Sequence, residues 1–187
     1  MTTRTLRTTA ELEAALDHLR AAPTDTGELT LVVRRPERLE REVLDEGELD
    51  PEAGLVGDNW RSRATSRAVE DGRHYEAMLT LMSARMVALL ADPDDERALA
   101  GDQLYVDLDL SVDNLPVGSR LALGETALVE ITAKPHRGCK KFLARFGADT
   151  LAFVNSDEGS RLRLRGVYAR VLEGGVIRPG DAVRRLD

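Results

Sequence analysis

The chain has 187 residues with a formal net charge of −7, and 42% of them are hydrophobic. This length suits one domain that buries its own core without disulfides or structural metals. The acidic balance argues against a general nucleic-acid-binding protein, and the single cysteine suits a reducing compartment. No apolar run approaches the roughly 18 residues of a membrane span, and residues 1–12 lack the apolar stretch of a signal peptide. We therefore expect a cytoplasmic protein with neither nucleic acid nor a membrane as partner.

The N-terminal part of the chain predicts one helix followed by one strand. Residues 9–22 repeat leucine at helical spacing and end before a proline and a glycine. Residues 29–35 form a β-rich run, and the charged segment 36–58 is expected to be an irregular solvated surface. We accordingly divide the chain into an N-terminal helical extension, residues 1–27, and a β-barrel domain, residues 28–187.

A methionine-rich segment predicts the clearest helix of the chain. Residues 75–91 repeat methionine and leucine at helical spacing, and Asp92-Pro93 ends the pattern. A row of methionines four residues apart also suits a metal site. Adaptable packing in the core is the stronger interpretation, because the thioether side chain fills irregular gaps.

From Gly101 onward the pattern predicts short strands. Residues 104–111 alternate apolar and polar side chains, which is typical of a half-buried strand. Further strands are predicted at residues 120–123, 127–133, 167–172 and 182–186. Gly-Asp pairs at positions 57–58, 101–102 and 180–181 precede extended stretches and predict tight turns. Short strands joined by such turns favour a barrel or a strongly bent sheet.

The segment around Cys139 is the candidate site. Residues 134–146 hold five basic side chains and no acidic one, which predicts a local anion site in an acidic chain. A solvated basic loop paired with nearby acids is an equal alternative. Apolar residues at helical spacing after Cys139 predict that a short helix starts there, with the thiol at its positive end.

The neighbours of Cys139 would tune its chemistry. Arg137, Lys140 and Lys141 favour the thiolate electrostatically, and His136 can carry a proton. A thiolate is both a nucleophile and a ligand for soft metals, so these features suit persulfide formation or metal binding. The alternatives are a buried inert cysteine and a Cys–His hydrolase. A zinc site is not predicted, because one cysteine and three histidines show no ligand-pair spacing.

Several segments together resemble the MOSC domain family, which occurs at the C-terminus of molybdenum-cofactor sulfurases and in standalone bacterial proteins. The matching segments are Gly54 to Trp60, Gly101 to Leu108, Asn114 to Ser119, the Cys139 segment, Arg165 to Val171, Gly174-Gly175 and Arg178 to Asp181. The resemblance covers roughly residues 28–186. It implies a mainly β fold with a few helices, built around a distorted β-barrel.

The resemblance also implies a function. Cys139 would carry sulfur as a persulfide or ligate the molybdenum of a pterin cofactor, and the protein could reduce N-hydroxylated substrates. The residues expected to bind the cofactor are Arg137 and Lys140 first, then Lys141, with Asn114, Asp58 and Arg165 as weaker candidates. His136 would be a proton relay, and the ligand would be the cofactor or a small anionic substrate.

The chain departs from the full sulfurases in lacking the pyridoxal-phosphate aminotransferase-like half, so the association of the family with that cofactor does not extend to these residues. We expect a separate protein to donate sulfur or electrons. The alternative is a non-catalytic module that binds a small anion or a partner protein through the basic segment around Cys139.

Overall fold

The structure is a computed structural model that describes residues 6–186. Its strands are β1 (Thr26–Arg34), β2 (Glu42–Leu44), β3 (Gly47–Asp50), β4 (Gly54–Leu55), β5 (Leu79–Ser83), β6 (Leu104–Asp107), β7 (Arg120–Leu123), β8 (Ala127–Ile131), β9 (Val167–Glu173), β10 (Gly175–Ile177) and β11 (Ala182–Leu186). Its α-helices are α1 (Thr9–Ala14), α2 (Leu16–Arg20), α3 (Ser66–Glu70), α4 (Ala84–Leu90), α5 (Asp94–Arg97), α6 (Lys140–Asn155) and α7 (Asp157–Arg161). Short 3-10 helices cover Arg61–Arg63, Arg73–Ala77 and Ala98–Ala100.

In the described part of the chain, seven strands close into a barrel. Their order is β11-β7-β8-β9-β5-β6-β1, and β1 pairs again with β11. Neighbouring strands are antiparallel except β5 and β6, which are parallel. Strand β2 extends the sheet beside β1, and β10, β3 and β4 form a small second sheet. The predicted mainly β barrel with a few helices is confirmed.

Two apolar clusters hold the barrel and its helices together. The barrel interior is filled mainly by Leu, Val and Ile, as the scarcity of aromatic residues requires. A second cluster lies outside the barrel wall, where α1, α2, α4 and α6 bury their apolar faces. Strands β5 and β6 are therefore covered on both sides, which removes the alternation of exposed and buried residues.

This double burial explains two wrong predictions. The helix expected over residues 75–91 is a 3-10 turn, then strand β5, and only from Ala84 onward a helix, α4, which Ser83 caps. A continuous apolar run has the same pattern in a buried strand as in a buried helix. The half-buried strand predicted at residues 104–111 is β6, which ends at Asp107, and it is fully buried at Tyr105, whose neighbours on that side belong to the second cluster.

The remaining predictions for the N-terminal half of the chain are correct or partly correct. The segment 36–58, expected to be irregular, contains the three short strands β2, β3 and β4, so that prediction is wrong in part. The expected N-terminal helix is two short helices, and Thr8 is the N-cap of the first, in a capping box with Glu11. The methionines at positions 78, 82 and 86 are fully buried core residues.

The Gly-Asp turns are confirmed, since Gly57, Gly101 and Gly180 have positive φ angles of 81°, 95° and 95°.

Within residues 6–186, no helix is long and apolar enough to cross a bilayer. The division at residue 28 stays a prediction, and the first five residues of the predicted extension lie outside the described residues.

Candidate functional site

Cys139 is the N-cap residue of α6, which confirms the helix predicted to start there. The chain leaves β8 at Ile131 and reaches the helix through a loop that closes against the far end of α6. Gly147, with a φ of 84°, divides α6 into two helical halves. The second half returns to the loop, and the backbone N–H of Gly138 donates to Oδ1 of Asn155 at 2.9 Å. This contact fixes the residue that immediately precedes the thiol.

The Cys139 side chain is exposed, and its surroundings favour the thiolate. Partial burial, the largest single effect, raises the pKa of the Cys139 thiol, and the backbone N–H groups of Phe142 and Lys141 lower it. The positive charges of Arg165 and Lys141 lower the pKa further, and the net pKa is below the ordinary value. Since the thiol makes no capping hydrogen bond to the helix, the two amides act as the positive end of α6.

The thiol lies where two adjoining cavities meet. The first, here called the arginine compartment, has a volume of about 420 Å³. Of the described residues lining it, one is acidic, Glu37, and seven are basic. The basic residues are Arg35, Arg38, Arg41, Arg63, Lys141, Arg145 and Arg165.

The second cavity, here called the histidine compartment, has a volume of about 410 Å³. It shares Cys139, Arg35, Arg63 and Arg165 with the arginine compartment. The rest of its lining consists largely of four residues with aromatic rings and two further cations. These are Trp60, His74, His136 and Tyr168, with Lys134 and Arg137.

Two of the shared arginines are held by buried carboxylates. Nε and Nη2 of Arg35 donate to the two carboxylate oxygens of Asp58, each at 2.8 Å, and the side chains are 5% and 0% exposed. Nη1 of Arg165 donates to Oδ2 of Asp102 at 2.6 Å, with 8% and 0% exposed. Such pairs fix the position of both guanidinium groups.

Other cations of the arginine compartment lie close to one another. Burial lowers the pKa of Arg41, and the positive charges of Arg145 and Arg35 lower it further. Burial, followed by the charge of Arg35, likewise lowers the pKa of Arg63. Like charges held together in a partly buried cavity favour the binding of an anion, which relieves their repulsion.

The structure brings some of the predicted site residues together and places others elsewhere. Arg137, Lys141 and Arg165 line the compartments with Cys139 and His136. Lys140 is in the first turn of α6 but does not line either compartment.

Asn114 is 8% exposed and bonded within the fold. Its Nδ2 donates to the carbonyl oxygens of Thr24 and Asp109, and its Oδ1 accepts from Arg185. It does not line either compartment. Asp58 pairs with Arg35 behind the cavity wall.

Several basic residues of the arginine compartment come from the N-terminal part of the chain and were not predicted. Arg35, Arg38 and Arg41 follow β1, and Arg63 lies in a 3-10 helix. A signal was present, because residues 34–41 read Arg-Arg-Pro-Glu-Arg-Leu-Glu-Arg. This second basic run spans the end of the predicted strand, residues 29–35, and the start of the charged segment 36–58, which the sequence predicts to be an irregular solvated surface.

Comparison with known proteins identifies the fold around this site. The family model for the MOSC domain matches residues 74–184, which is more than half of the chain. The chain belongs to the MOSC domain family. Cys139, His136 and Arg165 lie within the matched residues, whereas Arg35, Arg41 and Arg63 come from the preceding part of the MOSC protein. No curated protein has a sequence that matches this chain.

Solved structures of similar fold include three bacterial proteins. YuaD of Bacillus subtilis is 13% identical with a TM-score of 0.55, over 84% of this chain and 94% of that chain. YiiM of Escherichia coli is 18% identical with a TM-score of 0.53, over 86% and 70%. YiiM of Geobacillus stearothermophilus is 16% identical with a TM-score of 0.56, over 87% and 75%. At these identities the likeness concerns the fold alone.

Alkylation should reveal the perturbed thiol. We expect the rate of Cys139 alkylation by iodoacetamide in the metal-free MOSC protein to rise with pH through a midpoint below that of free cysteine, because the thiolate is the nucleophile. Lys141→Met should move the midpoint upward, since it removes a cation that stabilises the thiolate. Mass spectrometry of samples quenched at timed intervals measures the rates. A midpoint equal to that of free cysteine would contradict this description of the site.

Proposed function

We propose that this MOSC protein binds a molybdenum-pterin cofactor through Cys139, whose thiolate ligates the metal. The observation that carries the proposal is the position of the exposed thiol, which lies at the positive end of α6 where two cation-lined compartments meet. A soft thiolate suits a soft metal centre, and the cations around it suit the anionic groups of the same ligand.

The residues of the site fit this group in charge and in room. Nε of Arg41 and Nε of Arg165 are buried and lack a hydrogen-bond partner within residues 6–186, so donors are available around the cavity. Arg38, Arg41, Arg63 and Lys141 would hold the anionic groups, and Nε of Arg165 would add one donor, whereas Arg35 already pairs with Asp58. When bound, the cofactor supplies the redox chemistry, while the protein binds and orients it.

Sulfur carriage on the same thiol is the second candidate. An accessible, low-pKa cysteine favours it, since persulfide formation needs a nucleophilic thiolate. A persulfide alone does not require a cavity of about 420 Å³ lined by seven cations, and this is why cofactor binding is the better supported function. In either case a separate protein would donate the electrons or the sulfur.

Molybdenum content tests the proposal directly. We expect near-stoichiometric molybdenum in the protein purified from a cofactor-producing host, and background content in Cys139→Ser. Serine is the matched control, because it is a preferred N-cap residue and preserves the start of α6 while removing the thiolate. The same host must load a known cofactor protein.

The alternatives give different results in the same samples. Equal metal in both proteins would show that metal binding does not need the Cys139 thiolate. No metal in either protein, together with one added sulfur atom on the wild type but not on Cys139→Ser, would favour the persulfide carrier. Neither metal nor sulfur would leave a module that binds an anion or a partner through the basic surface.

A further inference from the structure

The Asp102 carboxylate lies next to the imidazole of His136, which lines the histidine compartment. Oδ1 of Asp102 and Nδ1 of His136 are 3.6 Å apart, and their side chains are 0% and 8% exposed. Both atoms are buried, and neither has a hydrogen-bond partner among residues 6–186. Buried polar atoms left without partners are rare in folded proteins, so two such atoms facing each other indicate one interaction.

The surroundings of Asp102 determine which of the two atoms carries the proton. Oδ2 of Asp102 accepts from Nη1 of Arg165, and Nη2 of Arg165 also donates to the carbonyl oxygen of Ala100 at 3.2 Å. The guanidinium group lies 4.9 Å from the centre of the Phe142 ring. A carboxylate paired with Arg165 can only accept at its other oxygen, so the proton belongs on Nδ1 of His136.

The imidazole itself is held in place and kept neutral. The Tyr168 ring packs against it at a centroid distance of 4.5 Å. On the backbone side, a Cβ at Gly166 would lie 3.3 Å from Nδ1. Burial, and then the charge of Arg165, lower the pKa of His136 to about 3 despite the nearby carboxylate. The ring is thus a neutral imidazole at physiological pH, with one protonated and one unprotonated nitrogen.

The unprotonated nitrogen is the one available to the cavity. His136 lines the histidine compartment with Cys139, and because Nδ1 is buried, Nε2 is the atom that can meet a ligand. The five cationic side chains of this compartment can only donate hydrogen bonds. An imidazole lone pair among them selects a different part of the ligand, namely an N–H or O–H group.

We propose that Asp102 is a positioning residue that fixes His136 as the Nδ1–H tautomer, so that Nε2 accepts a hydrogen bond from an N–H or O–H of the molecule bound beside Cys139. The identity of that molecule rests on the proposed function, whereas the tautomer does not. The ligand class is therefore a polar compound that presents both an anionic group and a hydrogen-bond donor to the site.

NMR of the metal-free protein tests the tautomer. The chain contains only three histidines, His18, His74 and His136, so a long-range ¹H–¹⁵N spectrum resolves each ring, and the signals lost in His136→Gln assign the third. We expect the wild-type spectrum at pH 7 to show Nδ1 of His136 protonated and Nε2 unprotonated. His74 is an internal reference, because its Nδ1 lies 3.2 Å from the Ala68 carbonyl oxygen.

Asp102→Asn should invert the tautomer. Arg165 can only donate, so the amide oxygen of the new side chain turns toward it, and the amide NH₂ then faces Nδ1 of His136. Nδ1 must accept from this group, which moves the ring proton to Nε2 and removes the acceptor from the cavity. The signals of His74 should stay unchanged, which separates this local effect from a loss of structure.

Each result decides the matter. An inverted His136 tautomer in Asp102→Asn, with His74 unchanged, supports the positioning role. A wild-type His136 that is protonated on Nε2, or an unchanged tautomer in a folded variant, overturns it. If the variant does not fold, the wild-type spectrum alone still decides, since Nε2–H there contradicts the proposal. The measurement needs no cofactor, so its failure is distinct from an absence of molybdenum.

Discussion

Replacing Asp58 with Ala is expected to lower the free energy of unfolding by about 3–5 kcal/mol, because it leaves a buried guanidinium without its counter-ion. The Asp58 carboxylate accepts from two nitrogens of the Arg35 side chain. It also accepts from the backbone N–H groups of Arg35 and Trp60, each at 2.9 Å. Nε2 of Gln103 is a fifth donor, at 3.2 Å. All five donors lose this acceptor in the variant, and Arg35, one of the cations that both compartments share, loses its fixed position.

Denaturant unfolding of the metal-free protein measures this loss, and Asp71→Ala is the matched control. Asp71 pairs with Arg73 at 2.7 Å, but the two side chains are 45% and 57% exposed. An exposed pair of this kind contributes less than about 1 kcal/mol. If Asp58→Ala were no more destabilising than Asp71→Ala, the buried pair would not be the anchor that the structure indicates.

The second large effect is expected at Gly166, where β9 begins beside β5. Gly166 has a φ of 105°, and a Cβ there would lie 2.2 Å from the carbonyl oxygen of Leu81. Since Leu81 pairs with Val167 in the barrel, the backbone cannot move away without breaking that pairing. We expect Gly166→Ala to lower the free energy of unfolding by more than about 4 kcal/mol, in the range reserved for severe packing and backbone defects.

Gly180→Ala separates the clash from the cost of the backbone angle. Gly180 has a φ of 95°, close to that of Gly166, but a Cβ there would meet no atom within 4 Å. Its replacement should therefore carry only the conformational cost, about 1–3 kcal/mol. Equal losses of stability for the two variants would show that the approach to Leu81 does not matter. The comparison uses the same denaturant measurement for both proteins.

The sequence predicted the exact bounds of those strands whose ends are marked by local turn residues. The strands at residues 120–123 and 182–186 have the predicted bounds, because glycine turns adjoin them: Gly118 and Gly124 lie on either side of the first, and Gly180 precedes the second. Prediction failed where a second layer changed the pattern. Strand β5 is covered by the barrel interior on one side and by the second cluster on the other. Its continuous apolar run therefore has the same sequence pattern as a buried helix.

The site divides in the same way. The sequence by itself determined the reactive segment, because the cysteine, its basic neighbours and the helix that begins after it are adjacent in the chain. Only the tertiary structure brought Arg35, Arg41 and Arg63 to that thiol and placed Asp102 behind His136. These contacts join residues up to about a hundred positions apart, and they depend on strand order and barrel closure, which no local pattern of side chains specifies.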